Sequence, residues 1–194
     1  MPESNAKLIV ISGPAGSGKT TLCDRLLADK PGIRRVVTST TRSPRPGEVH
    51  GVDYYFFEHE AFRQKLEAGH FYEYAKVHSN YYGSLKSEID DKLAAGHDVL
   101  LNIDVQGAAS FRQAAKESSG LAGRLVTIFV SVTPEQMRER MLGRGDNDEA
   151  DIAKRLESAV KEQARAGEFD YIIESADKES DYKALLKIYQ EVKS

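Results

Sequence analysis

Residues 13–20 read Gly13-Pro14-Ala15-Gly16-Ser17-Gly18-Lys19-Thr20, which are the types and the spacing of a phosphate-binding loop. They match the pattern G-x-x-x-x-G-K-[ST]. Glycines let successive backbone N–H groups converge on phosphate oxygens, and the start of a helix adds a partial positive charge. Lys19 would reach the β- and γ-phosphates, and the Thr20 hydroxyl would bind Mg²⁺. The motif therefore predicts a site for a nucleoside triphosphate.

A second phosphate site is indicated by two arginines on a stiff segment. Arg42 and Arg45 alternate with Pro44 and Pro46, and each proline restricts its own backbone and that of the preceding residue. Paired guanidinium groups are well matched to a phosphate dianion. The alternative is that both are solvated loop charges.

An aromatic-rich stretch over residues 54–82 follows these arginines. Tyr54 and Tyr82 could donate hydroxyl hydrogen bonds to phosphate oxygens, or they could be ordinary core aromatics. Glu73 lies among aromatics on a predicted strand, and Asp104 ends another strand at its carboxyl end, where ligands bind in parallel sheets. The alternatives are an exposed strand residue for Glu73 and a helix N-cap for Asp104.

A third group of cations lies near a glycine-containing loop at residues 143–148. Arg140 and Arg144 are spaced i, i+4 and would share one helix face, and Arg155 lies on the next predicted helix. These arginines are candidate site residues; the alternative is that Arg140 and Arg144 form a solvated helix face paired with Glu139 or nearby acids.

Strands alternate with helices along the chain, which predicts βαβ units, a parallel sheet and an α/β fold. Thr133 is expected to cap the helix that begins at Pro134. We expect strands at residues 7–12, 35–39, 54–57, 71–78, 98–103, 124–132 and 171–173, and helices at 20–29, 59–68, 84–95, 105–118, 134–142, 149–166 and 181–193.

Composition excludes several classes of protein. The 27 basic and 30 acidic residues argue against a nucleic-acid binder. The single cysteine, Cys23, excludes an internal disulfide and a cysteine zinc site, and the histidines lack metal-ligand spacing. No signal peptide and no apolar stretch of the roughly 20 residues that span a bilayer is found. We expect a cytoplasmic protein with no membrane partner.

Five segments together resemble guanylate kinase over nearly the whole chain: SGPAGSGKTTL, STTRSPRPGEVHGVDYYF, FYEYAKVHSNYYGS, LNIDVQGA and RMLGRG. The resemblance implies a three-layer P-loop NTPase fold with a central parallel sheet. It implies a core over about residues 1–33, 85–133 and 161–194, a small mixed α/β GMP-binding insert over about 34–84, and a mobile lid over about 134–160.

The resemblance also implies the reaction, in which the γ-phosphoryl group of Mg·ATP passes to GMP or dGMP. Guanine offers an acceptor at O6 and a donor at N2, which adenine lacks. The implied ATP-binding residues are Gly13, Pro14, Ala15, Gly16, Ser17, Gly18, Lys19, Thr20 and Thr21, with Thr20 on Mg²⁺. The implied catalytic residues are Lys19, Arg42, Arg140, Arg144 and Arg155, and the implied GMP-binding residues are Thr38, Arg42, Arg45, Tyr54, Glu73, Tyr82, Ser84 and Asp104.

Two positions depart from the family pattern. Asn102 replaces an acidic residue beside the phosphate loop, which weakens a metal role there. Ser175-Ala176 replaces an Asn-Asp pair near the donor base, so we expect looser donor recognition. Three rival functions stay open: a kinase for another phosphomonoester, a non-enzymatic interaction module, and a GTPase, although no guanine-reading N-K-x-D-type loop is found.

Overall fold

The computed structural model of the protein describes residues 5–117, 120–142 and 149–194, without the side chains of residues 141–142 and 149–154. The strands are β1 Leu8–Ser12, β2 Ile33–Arg35, β3 Ser39–Thr40, β4 Tyr55–Phe56, β5 Phe71–Val77, β6 Asn80–Leu85, β7 Asp98–Asn102, β8 Leu125–Ser131 and β9 Tyr171–Glu174. The helices are α1 Lys19–Asp29, α2 His59–Glu67, α3 Lys86–Ala94, α4 Val105–Glu117, α5 Pro134–Leu142, α6 Glu149–Gln163 and α7 Lys178–Lys193, with a 3₁₀ turn at Ala166–Glu168.

The strands form two sheets. The larger has the order β2-β7-β1-β8-β9, and β2 with β7 and β8 with β9 are parallel pairs. Its three central strands, β7, β1 and β8, are largely apolar and buried, with every residue of β1 buried, as expected for a sheet covered by helices. The predicted α/β class with a central parallel sheet is confirmed. In the described part of the chain, no helix has both the length and the apolarity to cross a membrane.

The smaller sheet is mixed and has the order β4-β3-β6-β5. β3 runs parallel to β4 and antiparallel to β6, and β5 and β6 form an antiparallel hairpin. Phe62 of α2 stacks on Phe71 with ring centroids 4.5 Å apart. Together with Leu85, these rings form a small apolar core that covers one side of the hairpin.

Residue contacts divide the chain into two compact units. The first unit comprises Met1–Leu8, Gly32–Leu100 and Ala109–Leu125, and the second comprises Ile9–Pro31, Leu101–Ala108 and Val126–Ser194. The first unit includes the whole smaller sheet. The second includes residues 13–20, β8, β9 and helices α5 to α7.

Several predicted boundaries are wrong. The strand expected at 35–39 is two strands, β2 and β3, in different sheets, because residues 36–38 connect one sheet to the other. Ser84 and Leu85, expected in a helix, belong to β6, since Ser84 pairs with Glu73 and Leu85 with Phe71. The helix expected at 149–166 ends at Gln163.

Helices α5 and α7 begin at residues whose side chains cap them. Thr133 Oγ1 accepts from the Gln136 N–H at 3.2 Å, while Gln136 Oε1 accepts from the Thr133 N–H at 3.0 Å. This reciprocal pair is a capping box, which confirms Thr133 as the cap of α5. Asp177 accepts from two N–H groups of the first turn of α7, so this helix begins at Lys178 and not at Asp181.

Candidate functional site

The phosphate loop connects β1 to α1 in the second unit. Gly13 has φ +141°, and a Cβ atom there would lie 2.4 Å from the Val130 carbonyl oxygen. Gly18, the N-cap residue of α1, has φ +92°. Only glycine adopts these conformations and close approaches without strain. The motif therefore requires glycine at position 13 for its backbone conformation and for space, and at position 18 for its backbone conformation.

Lys19 lies across this loop. Its Nζ donates to the Gly13 and Pro14 carbonyl oxygens at 2.6 and 2.8 Å. Burial lowers the pKa of Lys19, while the nearby Glu162 and Asp104 carboxylates act in the opposite direction. The loop thus holds a half-buried ammonium group where the motif predicts phosphates.

Thr20 and Asn102 are in contact beside the loop. Asn102 Nδ2 donates to Thr20 Oγ1 at 3.3 Å. Both groups offer oxygen atoms, which are the ligands Mg²⁺ prefers. No cluster of three His, Cys, Asp or Glu side chains suited to a metal occurs among the described residues. A magnesium ion here would take most of its ligands from phosphate and water, as Mg²⁺ sites of nucleotide enzymes commonly do.

Arg140 of α5 also contacts the phosphate loop. Its Nη1 donates to the Ser17 carbonyl oxygen at 3.4 Å, and its Nη2 donates to Ser175 Oγ at 3.0 Å and to the Ala176 carbonyl oxygen at 3.4 Å. These acceptors are all neutral. Of the other two predicted lid arginines, Arg155 is exposed on α6, and Arg144 lies outside the described residues.

A cavity of about 680 Å³ adjoins the phosphate loop within the second unit. This volume is within the usual range for small-molecule sites. Its lining includes predicted ATP-binding residues together with side chains from α1, α5 and the start of α7: Gly16, Gly18, Thr21, Leu22, Arg25, Arg140, Asp177, Lys178 and Asp181.

Asp104 caps α4, since its Oδ1 accepts from the Gly107 N–H at 2.8 Å. The carboxylate is otherwise exposed. Asp104 therefore acts as a helix N-cap, which was the alternative to ligand binding. Its second carboxylate oxygen is still able to accept a further hydrogen bond.

The predicted GMP-binding residues other than Asp104 all belong to the first unit. Arg42 Nη2 pairs with Glu48 Oε1 at 2.8 Å, and Glu48 Oε2 accepts from the Arg45 N–H at 2.7 Å. The Arg42 guanidinium lies 5.5 Å from the centre of the Tyr54 ring, which meets the Tyr82 ring edge-on at 6.3 Å. The structure thus brings Arg42, Tyr54 and Tyr82 together.

Glu48 was not predicted from the sequence. The Arg45-Pro46-Gly47-Glu48 segment forms a turn in which the Glu48 N–H donates to the Arg45 carbonyl oxygen at 3.0 Å. Pro-Gly at the centre of a turn is a recognisable signal, and it returns Glu48 toward Arg42. The Glu48 carboxylate raises the pKa of Arg42, and Arg42 lowers the pKa of Glu48.

Glu73 and Ser84 face each other across the β5–β6 hairpin. The strand register pairs them, and Ser84 Oγ donates to Glu73 Oε1 at 2.7 Å. Both residues are buried, with exposed fractions of 9% for Glu73 and 0% for Ser84. The alternative of an exposed strand residue is therefore wrong for Glu73. Thr38, half-buried, precedes β3 in the same sheet.

Comparisons with known proteins agree with one another. A family model described as guanylate kinase matches residues 5–192. A guanylate kinase of Clostridioides difficile is 39% identical over 92% of this chain and 84% of its own. One from Fusobacterium nucleatum is 37% identical over 94% and 95%. The crystal structure of guanylate kinase from Anaplasma phagocytophilum has a TM-score of 0.70 and 29% identity over 97% of this chain and 86% of its own.

Proposed function

The chain belongs to the guanylate kinase family, and we propose that it transfers the γ-phosphoryl group of Mg·ATP to GMP or dGMP, forming ADP and GDP or dGDP. In this proposal the second unit binds the donor, and the residues proposed to bind the acceptor belong to the first unit except for Asp104. The reaction would recycle GMP in purine nucleotide metabolism, in the cytoplasm. The proposed division is a core over about residues 1–33, 85–133 and 161–194, an insert over 34–84 and a lid over 134–160.

The buried Glu73 carboxylate carries the assignment of guanine. A buried carboxylate is costly unless it is hydrogen-bonded, and Ser84 supplies one such bond. Guanine offers N1 and N2 donors to a carboxylate, whereas adenine offers no donor at these positions. A site built for such donors can reject the wrong base by roughly 10⁴-fold, since its polar groups would stay unpaired. We assign Asp104, Thr38 and Ser84 to the guanine as well.

The acceptor phosphate is assigned to Arg42, Arg45, Tyr54 and Tyr82. The Glu48 bridge restrains Arg42 and the Arg45 backbone, which lowers the entropy lost when a phosphate binds. A GMP phosphate is already ionised near neutral pH, so the reaction needs no general base. Catalysis then consists of positioning and charge neutralisation.

The donor is assigned to residues 13–21, with Lys19 on its β- and γ-phosphates. The Lys19 ammonium group donates to loop carbonyl oxygens in the structure. When the donor binds, this ammonium group would donate to phosphate oxygens instead. Thr20 would hold Mg²⁺, which supplies charge neutralisation on the phosphates when bound. Arg140, Arg144 and Arg155 would neutralise the transferring group, and closure of the lid would exclude water.

The test is ADP production by the purified protein with Mg·ATP and each of GMP, AMP, CMP and UMP. We expect turnover with GMP, and with dGMP in a further assay, at least about 10³-fold faster than with the other three. Turnover with another monophosphate would overturn the assignment of Glu73 to guanine. Binding of GMP without turnover would support the interaction-module alternative.

A further inference from the structure

The segment between β9 and α7 connects Arg140 to a buried carboxylate. Ser175 Oγ accepts from Arg140 Nη2 at 3.0 Å and donates to Asp181 Oδ2 at 2.6 Å. The Ala176 N–H donates to Asp181 Oδ1 at 2.8 Å. Both carboxylate oxygens of Asp181 are therefore hydrogen-bonded, and the residue is only 6% exposed.

This arrangement orients a guanidinium group through a hydroxyl. A hydroxyl that donates to a carboxylate is polarised and becomes a stronger acceptor for a cation. Ser175 is itself 7% exposed, so water competes little for these bonds. Its position is fixed by the backbone, because the Ser175 N–H donates to the Ser131 carbonyl oxygen at 2.8 Å and Gln136 Nε2 donates to the Ser175 carbonyl oxygen at 3.0 Å.

The other amino group of Arg140 reaches the phosphate loop, 3.4 Å from the Ser17 carbonyl oxygen. A long arginine side chain loses much rotamer freedom when it is ordered. The bonds to Ser175 and Ala176 order this one before it meets a phosphoryl group. Preorganised cations of this kind stabilise developing charge without reorganisation during the reaction.

We infer that Ser175 and Asp181 are positioning residues for phosphoryl transfer, which orient Arg140 toward the phosphate loop. The inference rests on the proposed function, in which Arg140 acts on the transferring group. Ser175-Ala176 is one of the two departures from the family pattern, and Asp181 supplies this segment with a carboxylate from α7. In this role the Ser175–Asp181 pair acts through Arg140.

A double-mutant cycle distinguishes this role from a merely structural one. Arg140→Met is expected to lower kcat by about 10³-fold, and Ser175→Ala by about tenfold. Because Ser175 acts through Arg140, the double variant should lose no more than Arg140→Met alone. Losses that multiply to about 10⁴-fold would overturn the inference. The KM for GMP should change less than twofold in Ser175→Ala.

Two further variants make the cycle specific. Ser175→Thr keeps the hydroxyl and should recover kcat to within about threefold of the wild type. Ser180→Ala is the matched control, since Ser180 lies exposed in the first turn of α7 and its hydroxyl binds Asp177. Its kcat should equal that of the wild type. If Ser175→Ala does not fold, Asp181→Asn tests the same connection and should lower kcat only while Arg140 is present.

The failure of the proposed function would be recognised separately. If the wild type shows no turnover with any monophosphate, the proposed function fails. The coupling between Ser175 and Arg140 is then measured from the urea concentration at the midpoint of unfolding, for the wild type, the two single variants and the double variant. Ser175→Ala should then lower the midpoint more in the wild type than in Arg140→Met. Equal shifts in the two backgrounds would show that the two side chains are uncoupled and would overturn the inference.

Discussion

Arg42 of the first unit and Arg140 of the second are both held in place, but by different chemistry. Arg42 forms an ion pair with the Glu48 carboxylate at 2.8 Å. Among the described residues, Arg140 donates to neutral oxygens, on Ser17, Ser175 and Ala176, and the Asp181 carboxylate is one hydroxyl further away. The ion pair partly neutralises the positive charge of Arg42, whereas the neutral partners of Arg140 leave its positive charge more available to a bound phosphoryl group.

This difference agrees with the two proposed tasks. A ligand phosphate that is already a dianion must be held in a defined place, and a restrained guanidinium does so at low entropic cost. A phosphoryl group in transfer must be stabilised by charge, so an arginine with neutral partners is the better choice. We therefore propose that Arg42 acts mainly in binding and that Arg140 acts mainly in catalysis.

The largest expected effect is a fall in kcat when Arg140 is replaced. Arg140→Met should lower kcat by about 10³-fold, in the range found when an arginine that stabilises the phosphoryl transition state is removed. The KM for GMP should change by less than about threefold. Steady-state kinetics with GMP varied at saturating ATP would measure both.

The matched control for Arg140 is Arg138→Met. Arg138 is exposed on the same helix. Arg138→Met therefore removes one positive charge from α5, as Arg140→Met does, but leaves the contact with the phosphate loop in place. We expect kcat within about twofold of the wild type. A loss in kcat for Arg138→Met as large as that for Arg140→Met would mean that helix charge, and not the loop contact, is responsible.

A smaller effect is expected from Glu73→Gln in the first unit. The substitution keeps the shape but replaces one carboxylate oxygen with an amide donor, which would face the guanine N1 and N2 donors. We expect kcat/KM for GMP to fall by about 10²-fold, with ATP affinity measured by calorimetry unchanged. Glu67→Gln, exposed at the end of α2, is the control. Normal GMP turnover in Glu73→Gln would remove the basis for assigning guanine.

The two units also differ in how much the sequence could predict. The phosphate loop is one continuous motif, so its residues, its preceding strand and its following helix were all predicted from local pattern. The Thr133 cap was predicted for the same reason. Glu48 lies six residues from Arg42 and the Pro-Gly turn signals its return, so this pair could have been found and was not.

Other features have no local signal. Arg140 and Ser175 are 35 residues apart, and their elements meet through long-range contacts such as the parallel pairing of β8 with β9. The predicted helix start at Ser84 was wrong because pairing with Glu73 overrides local helix propensity. Tertiary contacts decide such positions, and a single sequence does not encode them in any short pattern.

The smallest expected effect sharpens the comparison at Arg42. Glu48→Gln removes the anionic partner and leaves the guanidinium less restrained. If Arg42 acts mainly through its position, the KM for GMP should rise by about threefold while kcat stays unchanged, since partly exposed ion pairs contribute little each. A fall in KM would show instead that Glu48 masks a charge useful for binding. Glu60→Gln, which removes the ion-pair partner of Arg63 in α2, is the matched control and should leave KM unchanged.

The pH dependence of stability tests the same pair without substrate. Arg42, and then the Arg45 N–H, lower the pKa of Glu48 below its ordinary value of 4.5. A carboxyl whose pKa is lowered by folding stabilises the protein above its unfolded pKa, and this contribution is lost as the pH falls through the folded pKa. The difference in Tm between wild type and Glu48→Gln should therefore be constant from pH 8 to about pH 5 and narrow below pH 4.5. A difference that persists unchanged to the lowest pH at which both proteins fold would mean that Glu48 stabilises the turn by shape, and the ionic contrast between Arg42 and Arg140 would then be lost.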